Sequence, residues 1–372
     1  MVLALLASVA PFSTDLYLSA FPVMADDLAA TATGIQLTLA SFLVGLAAGQ
    51  LVFGPLSDRL GRRRPLLVGA AIFVVASVFA ALAPTIEILI AARLVQGLAG
   101  APGMVLGRAV IADLERGEAA ARAFSLMMIV GGIAPVVAPL AGSLVVDAVG
   151  WRGALGVLVG LALLMLLSSW FVVPESLPVH RRGAQGGIGA RALLARGFLA
   201  PATTFVFGFS VMMAYISASP FLYQEVMGLD AAAYGSLFGV NALGLTAMSA
   251  AATRMLRTVS TEKVLGLGVA GLVAGATATL AVSAAGMPAW WLAVTIFVAV
   301  ASLGFVMGPA TALALGAVPD APGSASAVLG AAQFGLAAAV SPLVGLGGET
   351  ATLPLALVMA SCAVLAGLAY IA

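Results

Sequence analysis

The chain has 372 residues, 62% of them hydrophobic and 8% charged, and its mean hydropathy is +1.16. A soluble domain is about 25% charged, so this composition points to an integral membrane protein. A net charge of +1 argues against nucleic-acid binding, a lone Cys362 excludes an intramolecular disulfide, and a lone His180 in a polar loop argues against a histidine metal cluster.

In chain order, the first apolar stretch is Met1–Met24. It is too long for the apolar core of a signal peptide and has no basic lead, so it is read as a retained first helix. Asp15 sits in its middle. A carboxylate at that depth costs about 2.5–3.5 kcal/mol on insertion scales, so such residues usually face a polar interior and carry a task. Later apolar runs, separated by charges or Gly/Pro turns, extend the prediction to twelve spans. They lie near 2–24, 34–56, 65–83, 85–113, 119–147, 151–173, 197–226, 231–256, 261–284, 288–316, 322–346 and 353–372. Each is close to the ~20 residues that a crossing needs. Arg93, in the fourth span, is the other full charge at comparable depth. An acid and a base buried together suggest proton-coupled transport. Lys263, the only lysine, follows Glu262 rather than Gly, so the chain has no Walker phosphate loop, and ATP-driven pumping would need a separate subunit.

Charge gives an expected orientation. Arg59, Arg62, Arg63 and Arg64 lie between spans two and three, and Arg116 and Arg122 between four and five. Arg181, Arg182, Arg191 and Arg196 fill the central loop, and Arg254, Arg257 and Lys263 lie between eight and nine. The opposite side holds Arg152 alone, against Asp26, Asp27, Glu87, Asp147, Glu225, Asp230 and Glu349. By the positive-inside rule both termini are expected in the cytoplasm. The chain also repeats. An offset of 207 residues superposes Gly97 on Gly304, Pro102 on Pro309, Asp113 on Asp320 and Pro135 on Pro342. The expected fold is therefore all-α and membrane-embedded, with six-helix bundles at 1–173 and 197–372 joined by a cytoplasmic linker, 174–196.

Gly54-Pro-Leu-Ser-Asp58-Arg59-Leu-Gly61-Arg62-Arg63-Arg64 links spans two and three. Gly54 and Gly61 suit close helix approach and a tight turn. The run resembles the loop signature of the major facilitator superfamily. Span four carries Leu89-x-x-x-Arg93-x-x-Gln96-Gly97, similar to that family's second motif. Span five reads Gly131-Gly-Ile-Ala-Pro135-Val-Val-Ala-Pro139-Leu-Ala-Gly142 and resembles the motif of its drug:proton antiporters, with Ala134 where Gly usually precedes Pro. A narrower resemblance rests on Pro11-Phe-Ser-Thr-Asp15-Leu-Tyr17, Tyr215-Ile-Ser-Ala-Ser-Pro220-Phe221, Gly150-Trp151-Arg152, Pro174-Glu-Ser-Leu and Gly323-Ser-Ala-Ser-Ala. These runs are similar to the Bcr/CflA drug-resistance transporters, which include chloramphenicol and bicyclomycin exporters.

The resemblance implies a cytoplasmic gate at Asp58, Gly61 and Arg62, with Arg108 and Asp113 completing its charge network. Asp58 is expected to dock on the helix start at Gly323–Ser326. Asp15 and Arg93 lie roughly 13 and 12 Å from the outer ends of their spans at 1.5 Å per residue. They are therefore expected within reach of each other, directly or through water. Near Arg93 the carboxylate would stay charged, and away from it would take up a proton, so Asp15 is the expected carrier. Tyr17, Gln96, Tyr215, Ser219, Phe221, Asn241 and Gln333 are candidate substrate contacts, with Phe334 and Tyr223, the latter read as an interfacial anchor. The expected partners are a small-molecule drug, protons and the lipid bilayer. No cofactor is expected, and the monomer is expected to suffice. A sugar or other metabolite transporter of the same fold is the alternative. No span holds a histidine, and no Ser/His/Asp arrangement is evident, which argues against a membrane enzyme.

Overall fold

Long apolar segments in lipid must satisfy their backbone amides internally, which leaves helices as the simplest solution. The computed structural model describes residues 6, 8–114, 117–178, 195–318 and 322–372, and every regular element among them is helical. Ten helices among the described residues are long and apolar enough to cross a membrane. Arg116, His180, Arg181, Arg182, Arg191 and Asp320, and the side chain of Arg122, lie outside the described residues.

The elements are α1 (Val9–Asp15), α2 (Phe21–Asp27), α3 (Ala32–Leu60), α4 (Arg63–Ala81), α5 (Ile86–Leu114) and α6 (Gly117–Val172). They continue as α7 (Arg196–Phe221), α8 (Ala231–Met255), α9 (Thr261–Ala284), α10 (Ala289–Gly316), α11 (Pro322–Val340) and α12 (Leu353–Ile371). Three expected spans are irregular. The first divides into α1 and α2 around a 3₁₀ turn at Leu18–Ala20. The seventh ends in a π turn, Leu222–Val226, and the eleventh in a 3₁₀ turn, Ser341–Gly345. α6 holds spans five and six. Its 56 residues would run about 84 Å if straight, and the chain breaks at Gly150, whose φ of 73° lies in the left-handed region.

The chain forms two compact units: residues 1–30 with 37–186, and residues 31–36 with 187–372. In the first unit α5 crosses α3 at Gly97, where a Cβ would collide with the backbone of Phe42 and Leu46. In the second, α10 crosses α8 at Gly304, where a Cβ would collide with the backbone of Leu245, Met248 and Ser249. Gly97 and Gly304 stand 207 residues apart, and each faces a carbonyl and an amide one turn apart on the crossing helix, Phe42 and Leu46 in one unit and Leu245 and Ser249 in the other. The repeat therefore packs the same pair of helices in the same way, with a glycine letting two backbones touch. Gly54, expected to serve a close approach, makes none among the described residues: a Cβ there would meet none of them within 4 Å. Phe79 (61%), Phe171 (78%) and Leu243 (58%) are largely exposed. Such a surface suits lipid rather than water.

Candidate functional site

The interruption of the first span is built into its residues. Pro22 has no N–H to return to the preceding turn and sits in the first turn of α2, the place where a restarting helix loses nothing by it. One turn earlier, the Thr14 hydroxyl lies 3.0 Å from the Ala10 carbonyl and 3.1 Å from that of Pro11, a contact that bends helices. The result ends α1 on Asp15 itself. That side chain is only 3% exposed, and among the described residues its one hydrogen-bond partner is the Thr14 hydroxyl, 2.7 Å from Oδ1.

Arg93 reaches the same place from α5 and is fully buried. Its Nη2 donates to the Ser13 carbonyl at 2.6 Å and its Nη1 to Gln96 Oε1 at 2.5 Å. The guanidinium carbon sits 4.6 Å from the centre of the Tyr17 ring and 4.4 Å from that of Phe42. Gln96 Nε2 donates to Ser77 Oγ at 2.7 Å, and the Tyr17 hydroxyl lies 3.0 Å from Thr38 Oγ1. The direct form of the expected Asp15–Arg93 contact is thus corrected: the two make no ion pair. Unbonded carbonyls gather partial negative charge at a helix C-terminus, and Arg93 is bound to one of these, that of Ser13. The cation caps the half-helix; the acid next to it is left to Thr14.

Gly142, on α6, closes the other side of the break. A Cβ there would run into the carbonyl and Cα of Leu16. Pro135 and Pro139 lie in the same helix without ending it. Gly131 is also in α6, but its surroundings lie outside the described residues.

At the far end of the first unit, Arg62 organises the loop between α3 and α4. Its Nη1 donates to Asp58 Oδ1 at 2.6 Å and to Ser57 Oγ at 2.7 Å, and its Nε to Asp113 Oδ2 at 3.2 Å. Gly61 turns the chain there with φ of 91°. Arg108 is corrected out of this network. It is exposed and makes no ion pair among the described residues; five positions from Asp113, it points about 140° around α5. Glu175 and Ser176 enter instead. Glu175 Oε1 accepts from the Arg62 N–H at 2.8 Å, its Oε2 accepts from the Arg63 N–H at 3.3 Å, and Ser176 Oγ donates to Asp113 Oδ2 at 3.0 Å. The run Pro174-Glu-Ser-Leu carries a resemblance but does not reveal this role, because the partners of Glu175 lie 112 and 113 residues away. The side chains of residues 323 and 324, expected to receive Asp58, lie outside the described residues.

With that geometry in place, comparison decides the family. A model of the Major Facilitator Superfamily matches residues 3–342. The chain belongs to this superfamily. It is 34% identical, over 99% of its length and 93% of the relative's, to the uncharacterized MFS-type transporter YdgK of Bacillus subtilis (strain 168). It is 30% identical, over 87% of its length and 82% of the relative's, to the multidrug resistance protein MdtL of Escherichia coli O139:H28. Among solved structures, a D-xylose-proton symporter covers 98% of this chain and 95% of its own, with a TM-score of 0.77 at 16% identity. The nucleoside transporter NupG covers 100% and 97%, with a TM-score of 0.77 at 15% identity. At such identities the likeness establishes the twelve-helix fold of the superfamily and no more.

The remaining candidate contacts of this superfamily member divide into two groups. Tyr17 and Gln96 are fully buried, with their polar groups bonded to Thr38, Arg93 and Ser77. In the second unit Tyr215, Ser219 and Phe221, toward the end of α7, and Asn241, near the middle of α8, are all buried. Tyr223 joins them with no exposed surface, which corrects its reading as an interfacial anchor. Gln333 is half-buried on α11, and its neighbour Phe334 packs edge-on against Phe209 at 5.4 Å.

Proposed function

We propose that this superfamily member is a proton-coupled antiporter that exports amphipathic drugs, chloramphenicol-like or bicyclomycin-like, by alternating access across the cytoplasmic membrane. The observation that carries this reading is Asp15: a single acid buried at the interruption of a membrane span, held by one neighbouring hydroxyl. A carboxyl so placed changes charge by gaining or losing one proton, and interrupted spans are where transporters place coupling ions. In this cycle a proton from outside neutralises Asp15 and releases drug outward, and drug binding from the cytoplasm returns the proton inward. One charge moving inward supplies about 2.3 kcal/mol per 100 mV, enough for export against a moderate gradient.

The other parts take supporting roles. Arg93 keeps its charge throughout and holds α1 by the Ser13 carbonyl, so that the break persists whether Asp15 is charged or neutral. Asp58, Arg62 and Asp113, with Glu175, form the cytoplasmic gate. Gly131, Pro135, Pro139 and Gly142 form the antiporter motif, in which the contact of Gly142 with Leu16 brings α6 against the carrier's own turn. The reading includes a Bcr/CflA-type subfamily, cytoplasmic termini, bundles at 1–173 and 197–372, and function as a monomer. Identity of 30% to a multidrug resistance protein supports a drug as cargo. The alternative, a sugar or other metabolite, has only a likeness of fold behind it.

Expression in an efflux-deficient host tests the reading. It predicts raised resistance to chloramphenicol or bicyclomycin, and lowered accumulation that a protonophore restores to the level of cells without the protein. Lowered accumulation that survives the protonophore would contradict proton coupling.

A further inference from the structure

In the second unit α7 ends in a π turn, Leu222–Val226, just before the start of α8 at Ala231. π turns gather at functional sites.

What surrounds this turn is unusual for a membrane interior. Four rings contact one another in a closed circuit. Tyr215 and Tyr223 stand 6.4 Å apart, Tyr223 and Tyr234 6.1 Å, Tyr234 and Phe238 6.0 Å, and Phe238 and Tyr215 5.6 Å, between centroids. Three of the chain's five tyrosines are in this circuit, each at most 2% exposed. Phenylalanine would pack as well without the cost of burying a hydroxyl, so the hydroxyls call for a reason. Asn241, 2% exposed, faces the same cluster from α8. Its Nδ2 donates to the Tyr223 hydroxyl at 3.4 Å and to the Leu237 carbonyl at 3.0 Å, yet its Oδ1 is buried with no partner. A buried acceptor left unbonded costs about 1–3 kcal/mol, which a ligand's donor would recover.

We infer that the aromatic circuit around the π turn, with Asn241 Oδ1 as its acceptor, is a binding subsite for an aromatic compound that carries an N–H or O–H donor. This rests on the drug-exporter reading and narrows its cargo. The rings supply stacking faces and the amide oxygen takes the donor. Tyr234 and Phe238, which no motif singled out, become specificity residues alongside Tyr215, Tyr223 and Asn241.

Equilibrium binding to the full-length protein in lipid nanodiscs, without a proton gradient, tests this with two probes. Chloramphenicol has a ring with N–H and O–H donors; tetraphenylphosphonium has rings and no donor. Asn241→Leu is expected to weaken chloramphenicol about tenfold and to leave tetraphenylphosphonium within about twofold, because only the first loses a hydrogen bond. Tyr223→Leu is expected to weaken both. Should Asn241→Leu fail to fold, Asn241→Ser withdraws the amide oxygen in a milder way and is expected to show the same selective loss. Equal effects of the Asn241 variant on both probes, unchanged binding of both, or no binding of either by the unmodified protein would overturn the inference. Because binding is read without a gradient, a failure of proton-coupled export leaves this result standing, and the two ideas fall separately.

Discussion

Arg93 uses the one feature of arginine that lysine lacks, a flat fork of donors that can bind in two directions while its faces rest on rings. Nη2 holds Ser13, Nη1 holds Gln96, and Tyr17 and Phe42 lie within 4.6 Å of the guanidinium carbon. Arg93→Lys keeps the charge but cannot span both acceptors, and a charge-assisted hydrogen bond contributes about 1.5–3 kcal/mol. We expect export by that variant to fall about tenfold or more at normal expression, measured as drug accumulation; export within twofold of the unmodified protein would remove the capping role. Gly142→Ala tests the other side of the break. Its Cβ would press into the Leu16 carbonyl, and overpacking of this kind costs about 1–3 kcal/mol, so lowered thermal stability and impaired export are expected together. The sequence made Asp15 and Arg93 legible because charge in an apolar run stands out at once. It did not reveal that the arginine binds a backbone carbonyl, because a carbonyl leaves no mark in a list of side chains.

Helices in this protein are held at their ends by side chains far away in sequence. Glu175 caps the start of α4 through the Arg62 and Arg63 N–H groups, while Arg63 returns the contact through the Val173 and Trp170 carbonyls at 3.0 and 2.8 Å. Glu175→Ala leaves those N–H groups without their carboxylate, and loss of a cap costs about 1 kcal/mol. Thermal unfolding in detergent is expected to show that loss, and Glu175→Gln to recover part of it; an unchanged melting temperature for both would show the cap to be dispensable. At the opposite end of this unit, Asp27 accepts from Arg152 at 2.5 Å and from Trp151 Nε1 at 2.9 Å, tying the end of α2 to the second half of α6. The Arg152 bond first, then that of Trp151, holds the Asp27 carboxyl below its ordinary range. A group depressed in the folded state stabilises it above the unfolded value, near 4, and loses that contribution as pH falls through the lower folded value. Stability should therefore drop more steeply on acidification from about pH 5 in the unmodified protein than in Asp27→Asn, read as melting temperature against pH. Parallel curves would contradict it. Of these elements, the spans were legible from apolar length, and a proline lies in or beside each interruption, Pro22, Pro220 and Pro342. Which prolines interrupt a span was not legible, because Pro55, Pro102, Pro135 and Pro139 lie in helices that continue through them.

Two repeats with glycine-mediated crossings make the molecule a pair of related halves with different chemistry in their irregular spans. The first half places an acid there and the second an aromatic circuit. The repeat was legible from Gly97 and Gly304, because only glycine lets those helix backbones meet. The chemical difference between the halves was not, because buried tyrosines in a long apolar run look like any other core. Orientation is a prediction at this scale. With Arg59, Arg62, Arg63 and Arg64 and most other basic residues on one expected side and Arg152 alone on the other, a cysteine introduced at Arg257 should react with a membrane-impermeant reagent only after the membrane is opened. Reaction in intact cells would invert the topology. The central claim is that one acid carries the proton, and its most direct measurement is proton movement in liposomes containing the purified protein. Adding the exported drug should change internal pH with the unmodified protein and leave it unchanged with Asp15→Asn, while drug exchange between equal concentrations continues. Drug-driven proton movement persisting in Asp15→Asn would contradict the account.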